Sequence, residues 1–248
     1  MTRGALRALA LLAGIAGAPA WAQDACPSLP PRADPPAEVV PAPVPGPWWQ
    51  PRVQELDRSL AATDLSRIRL LFLGDSITQG WYPLIFQQFY GGRNALNMGV
   101  GTDTTQGLLW RLNRSPLGAA LKPELVVVLI GTNNAHNPAA GDVALGVAEN
   151  IRLIRRRSPG SRILLVGLLP RGATAQDPFR ASIARINALI ARCADNQHIF
   201  YAEPGSMMVD AVGNLSDQVA FDRLHPTMVG YAILSAALEP QIRALLGR

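Results

Sequence analysis

From residue 68 onward the chain is punctuated by five short, nearly unbroken apolar runs: IRLLFLG (68–74), ALNMG (95–99), ELVVVLIG (124–131), RILLVGLL (162–169) and HIFYA (198–202). A strand with one wet face alternates apolar and polar residues, because successive side chains point to opposite sides of the sheet. Runs that lack this alternation suit strands buried on both faces, as in parallel sheets. Helical patterns lie between them: TTQGLLWRLNRS, GDVALGVAENIRLIRRR, and DPFRASIARINALIARCA with Ile183, Ile186, Leu189 and Ile190 on one face. The last, PTMVGYAILSAALEPQIRALLG, is predicted to open at Pro226 and to bend or break at Pro240. Alternating strands and helices imply an α/β fold: a three-layer α/β/α sandwich with a five-stranded parallel sheet and right-handed crossovers. With 248 residues, 48% of them apolar, one domain over residues 48–248 has enough material for such a core.

The segment before residue 48 reads differently. Residues 1–22 carry Arg3 and Arg7, then an apolar stretch, then Ala20-Trp21-Ala22, the layout of a secretory signal peptide cleaved near Ala22/Gln23. The apolar stretch is short for a membrane span, so no stable membrane insertion is expected after cleavage. Export to a periplasm or beyond is the expected localisation. Cleavage removes two arginines and no acid, and the net charge falls from +5 to +3. Residues 23–47 are proline-rich and are predicted to form an extended arm rather than a packed element. WWQPRVQELDRSLAA follows as a first helix, with Trp48 and Trp49 docking the arm on the core. Arg155, Arg156 and Arg157 form the dense basic run, read as a solvated helix C-terminus, where the helix dipole favours cations. No basic stretch is interleaved with aromatics, so nucleic acid is not an expected partner. Cys26 and Cys193 are two cysteines that an exported protein can pair, which leaves the disulfide open at this point. Two cysteines and three scattered histidines do not suggest a metal site.

Ligands of open α/β sheets bind at the carboxyl ends of the strands, so the strand-end loops are the places to look for chemistry. The first is Gly74-Asp75-Ser76-Ile77-Thr78. Here a serine opens a helix whose first N–H groups lack intrahelical acceptors and favour negative charge. The bland reading is a helix cap at Asp75 or Ser76. NMGVGTDTT (97–105) has two glycines for tight turns and Asp103 or Thr104 as a cap. GTNNAHN (131–137) offers Asn133, whose amide can donate to an oxyanion, with Asn134 and His136, and Gly101 of the preceding loop, as possible pocket lining; asparagines also fill turns routinely. FDRLHP (221–226) places Asp222 three residues before His225. A carboxylate accepting the Nδ1 proton leaves Nε2 free as a base. Trp81 and Trp110 are candidates for either an acyl pocket or the core. Together the loops supply a nucleophile, a base, an orienting acid and oxyanion donors.

This set of residues resembles the SGNH, or GDSL-type, hydrolase family over about residues 48–246. GDSIT carries Ser76 at the nucleophile position, GTNN carries Asn133 at the asparagine donor, and DRLH carries Asp222 and His225 at the acid and base. LNMGVGTDTTQGLLWRL, KPELVVVLIGTNN and GLLPRG are further similar to the platelet-activating-factor acetylhydrolase catalytic-subunit branch. The resemblance implies a flavodoxin-like sandwich, no cofactor, and a triad of Ser76, Asp222 and His225. It also implies an oxyanion hole of the Ser76 N–H, the Thr102 N–H and the Asn133 amide. One position departs from the branch: Thr102 stands where glycine is usual, after Gly101. A β-branched residue at positive φ is strained. Either Thr102 keeps a negative φ and still donates, or the hole is reshaped around Gly101. The implied function is a serine esterase for short acyl, above all acetyl, esters of a small molecule, glycan or lipid. A lysophospholipase or thioesterase for longer chains is the nearest rival, and a non-catalytic glycan- or lipid-binding module the next. A flavin protein of similar topology is disfavoured, because the first loop lacks the hydroxyl-rich run expected around a phosphate. The oligomeric state is open, a homodimer being one form allowed.

Overall fold

The computed structural model describes residues 26–29 and 34–247. The expected signal peptide, residues 1–22, lies outside the described residues. The five apolar runs form β1 (Leu70–Gly74), β2 (Ala95–Gly99), β3 (Leu125–Leu129), β4 (Arg162–Val166) and β5 (Ile199–Ala202). All pair in parallel, in the order β2-β1-β3-β4-β5. Every residue of β1 and β3, the central pair, is buried, which is why neither shows alternation. The chain leaves β1 toward β2 on one side and returns to β3 on the other. The loops after β1 and β3 therefore diverge, and the crevice between them is where this topology exposes backbone to a ligand.

Helices cover both faces. α4 (Thr105–Arg114), α5 (Ala140–Arg157) and α6 (Pro178–Ile190) pack in sequence on one; α3 (Pro83–Tyr90) meets α7 (Met228–Leu246) on the other. The α3 helix was not foreseen: its eight residues are too few to display a period, although Pro83 at its first turn is a start signal. Under α3 and α7 sits an aromatic cluster of Phe72, Trp81, Phe86, Tyr90 and Tyr231. Trp81 belongs to it, buried, with Nε1 donating to Ser235 Oγ at 3.1 Å, so it lines no acyl pocket. Trp110 is partly buried against Trp49 on one side and Arg114 on the other.

Several expectations need correction. Pro226 precedes α7 instead of opening it; Thr227 is the cap, its Oγ1 accepting from Gly230 N–H at 3.2 Å. The helix runs unbroken through Pro240, whose missing N–H costs one bond while its buried neighbours Leu238 and Ile242 hold both halves to the core. The basic run is only partly a solvated end. Arg156 is exposed, but Arg157 donates to the carbonyls of Leu112, Asn113, Ser115 and Leu117, satisfying the C-terminal groups of α4. Arg155 likewise reaches Pro159 and Ser161 carbonyls. Nor is the proline-rich arm free. Residues Ala37–Val39 form a 3₁₀ turn with Glu38 buried, its carbonyl accepting from Thr105 Oγ1 and its carboxylate from Asn137. Arg152 of α5 donates to Pro27 O, and Cys26 is disulfide-bonded to Cys193, so the described parts of the arm lie against the helical face. Trp48, 77% exposed, docks on nothing among the described residues; Trp49 does the docking as the second residue of the pair, opening α1 (Trp49–Ala62). Among the described residues no helix is long and apolar enough to cross a membrane.

Candidate active site

β1 ends at Gly74, where a Cβ would overlap the Leu129 carbonyl and Thr78 Oγ1; only glycine lets the strand turn there. Asp75 caps the single turn α2 (Ser76–Gln79), its Oδ1 accepting from Ile77 N–H at 2.9 Å. The capping reading of this motif therefore holds for Asp75 and leaves the adjacent Ser76 side chain free of the cap. Ser76 is the first helical residue and keeps an N–H with no intrahelical acceptor.

Across the crevice, residues 220–226 close a tight hairpin. Ala220 bridges Pro226, Phe221 N–H donates to His225 O at 3.1 Å, and Arg223 takes φ 63° at the tip. Asp222 Oδ1 accepts from the backbone N–H of Leu224 at 3.0 Å and of His225 at 2.7 Å. Its other oxygen lies 2.7 Å from His225 Nδ1, and His225 Nε2 lies 2.9 Å from Ser76 Oγ. Ser76, His225 and Asp222, separated by up to 149 positions, are thus one hydrogen-bonded series. Burial works to raise the Asp222 carboxyl, but the His225 backbone and imidazole and the Leu224 N–H outweigh it and hold it below the ordinary carboxylate range. An ionised Asp222 fixes the imidazole with Nδ1 protonated and Nε2 toward the serine. The series is open: the side chains of His225 and Asp222 are 31% and 41% exposed. Phe221 stacks on the His225 ring at 5.9 Å between centroids.

The other two loops meet at Asp103. Its carboxylate is buried, accepting from Trp49 Nε1 at 2.8 Å and from Arg111 Nε and Nη2 at 2.9 and 2.6 Å. Arg111 also reaches the carbonyls of Met98 and Gly74, at the ends of β2 and β1. Burial raises the Asp103 carboxyl against the pull of Arg111 and Trp49. No sequence signal announced this network, because its members come from three elements. The Asp103 carbonyl accepts from Asn133 Nδ2 at 2.8 Å. That bond uses one of the two amide protons and leaves the other.

Thr102 has φ 62° and is exposed. Neither expected alternative holds: φ is positive, and the Gly101 N–H is consumed by Gln79 Oε1. Its flanks are held by Gln79 on one side and the buried Asp103 on the other, so the strained conformation persists where the surroundings over-determine it. Thr102 N–H has no acceptor among the described residues. Asn134 is not pocket lining. It is 7% exposed, with Oδ1 accepting from Thr105 N–H and Nδ2 donating to Gln106, and it serves to seat α4. His136 is exposed, its ring meeting Phe179 edge-on at 5.1 Å. Among the described residues no three His, Cys, Asp or Glu side chains are grouped to hold a metal ion.

The sequence profile of the GDSL-like Lipase/Acylhydrolase family matches residues 72–233. Platelet-activating factor acetylhydrolase IB subunit alpha1 of Bos taurus is 34% identical over 181 residues, 71% of this chain and 76% of the relative. The alpha2 subunit of Homo sapiens is 36% identical over 179 residues, 71% and 77% of the two chains. Among solved structures, a GDSL-like lipase from Bacteroides thetaiotaomicron superposes with a TM-score of 0.64 at 24% identity, covering 77% of this chain and 97% of the other. A catalytic mutant of an acetylxylan esterase from Geobacillus stearothermophilus gives 0.56 at 20% identity, covering 74% and 95%. These two likenesses concern the fold.

Proposed function

The chain belongs to the GDSL-like lipase/acylhydrolase family and is an ester hydrolase, and on that premise we propose that it is a serine esterase for short acyl, chiefly acetyl, esters. In this reading Ser76 Oγ attacks the ester carbonyl while His225 Nε2 takes its proton. Asp222 holds the imidazole by Nδ1 and stabilises its cation. The tetrahedral oxyanion accepts from the Ser76 N–H, the Thr102 N–H and the second Asn133 amide proton. His225 returns its proton to the departing alkoxide, and an alcohol leaves. Water then attacks the acyl-enzyme with the same base, releasing the acid and restoring Ser76. The observation that carries this reading is the pair of contacts on one ring: Nε2 to Ser76 and Nδ1 to Asp222.

The short acyl group is supported by the similarity to the platelet-activating factor acetylhydrolase subunits and by the open setting of the series. The substrate is a small-molecule ester or an acetylated glycan or lipid. Export is supported by the 1–22 segment and by the Cys26–Cys193 disulfide, a bond that persists in oxidising compartments. The test is a chain-length series of p-nitrophenyl esters on the mature chain, with a fluorophosphonate probe alongside. Turnover highest at acetyl and probe labelling lost in Ser76→Ala are expected. A maximum at eight carbons or more transfers the protein to the long-chain reading, and labelling that survives the substitution removes Ser76 as nucleophile.

A further inference from the structure

Arg171 stands in the loop after β4, in Leu168-Leu169-Pro170-Arg171-Gly172. Its backbone is pinned from two sides. Arg180 Nε donates to Arg171 O at 2.7 Å, and Gly172 N–H donates to Arg223 O at 2.9 Å, in the hairpin that carries Asp222 and His225. The guanidinium carbon lies 4.0 Å over the Phe179 ring, whose edge contact with His136 holds the ring from beyond. Nη1 donates to the carbonyl of Thr132, the residue before Asn133, at 3.3 Å. One cation therefore joins the loop of the proposed oxyanion donor to the hairpin of the proposed base.

The guanidinium is also underused. Arg111, Arg157, Arg180 and Arg93 spend their N–H groups on carbonyls and carboxylates. Neither Nε nor Nη2 of Arg171 has an acceptor among the described residues. Burial disfavours its charge, and Asp177 and Asp222 are near enough to favour it. A half-buried arginine, held flat on an aromatic face with one edge of its fork free, is organised in advance for a planar or tetrahedral oxyanion. Its side of the site is also defined. The leaving oxygen must sit by His225 Nε2 to receive a proton, and the loop of Arg171 is bonded to the His225 hairpin.

We propose, building on the esterase reading, that Arg171 is a specificity-determining residue that binds an anionic group, carboxylate or phosphate, on the alcohol side of the ester. The test uses three acetyl esters of matched shape: 4-acetoxybenzoate, 4-acetoxyphenyl phosphate and the neutral 4-acetoxybenzamide. For wild type, kcat/KM on at least one anionic ester is expected to exceed that on the amide by about tenfold, the size of one charge-assisted contact. The better of the two anions identifies the group. In Arg171→Gln this ratio is expected to collapse toward one, chiefly through KM. Arg171→Lys is expected to recover part of it, having charge without the fork. An unchanged ratio in Arg171→Gln, including an equal fall on all three esters, overturns the inference and leaves Arg171 a structural residue. Absence of Ser76-dependent turnover of all three esters overturns the esterase reading and this inference with it.

Discussion

Replacing Asp75 by asparagine should alter how stability depends on pH. Asp75 is 0% exposed, Oδ1 caps α2, and Oδ2 has no hydrogen-bond partner among the described residues. Burial drives its carboxyl up from 3.8 to about 7; the Ile77 N–H opposes the rise and the nearby Asp103 charge adds to it. Tyr231, which donates to Ile77 O from α7, also feels the charge, its phenol being pushed up by burial and by Asp75. Because the folded value exceeds the unfolded one, the native state keeps a proton that the unfolded chain has released. The resulting stability is whole below the unfolded value and is lost as pH rises through 7. At about 1.36 kcal/mol per pH unit, the full shift is worth on the order of 4 kcal/mol, of which roughly 2.5 falls between pH 5 and 8. Asparagine preserves the acceptor for Ile77 and the volume but does not titrate. Its unpartnered amide protons impose an offset independent of pH, so the slopes are compared and not the absolute stabilities. Urea unfolding of both proteins at pH 5, 6, 7 and 8 makes the measurement, and carboxylates far from Asp75 cancel in the difference. The Asp75→Asn protein should gain roughly 2.5 kcal/mol on wild type across that interval. Curves that stay parallel within about 0.5 kcal/mol would show that Asp75 is ionised in the fold, and the desolvation reasoning would be wrong.

Asn133→Ala should keep the circular dichroism spectrum of the wild type but lose about 10²–10³ in kcat on p-nitrophenyl acetate, the usual cost of one oxyanion donor; a tenfold loss or less removes Asn133 from the hole. Thr102→Gly should raise the urea midpoint by an amount equivalent to about 1 kcal/mol, by relieving a β-branched residue at φ 62°, and should retain activity because the N–H remains. Arg111→Met leaves the Asp103 carboxylate buried without its cation and should cost about 3–5 kcal/mol in thermal or urea unfolding; a cost under about 1 kcal/mol would mean that Trp49 and the adjacent backbone suffice to hold that charge.

Much of the framework was legible because the relevant signals are local. A strand buried on both faces must be apolar at every position, so 70–74 and 125–129 announce themselves without any knowledge of their neighbours. Strand-end loops are where ligands bind in such sheets, and this directed attention to Ser76, Asn133 and the 221–226 hairpin. Asp222 and His225 are three apart within one tight turn, so their contact is also encoded locally. What the sequence by itself determined is thus the layer order, the strand ends and the residue types that converge there, since each follows from burial or spacing within a few residues.

The tertiary structure decided which of two equivalent neighbours does what. Asn133 and Asn134 are the same residue in the same loop; the packing of α4 against Asn134 occupies both ends of its amide, whereas Asn133 donates one amide proton to the Asp103 carbonyl and keeps the other. It also set the positive φ of Thr102, through Gln79 and the Asp103–Arg111 pair on either side. The same holds for Arg157 closing α4, for the arm laid across α5 and α4, and for Arg171 between two loops. Each of these depends on partners tens of residues away. A side chain's hydrogen-bond partner is chosen by what packing leaves unpaired around it, and local periodicity carries no record of that choice.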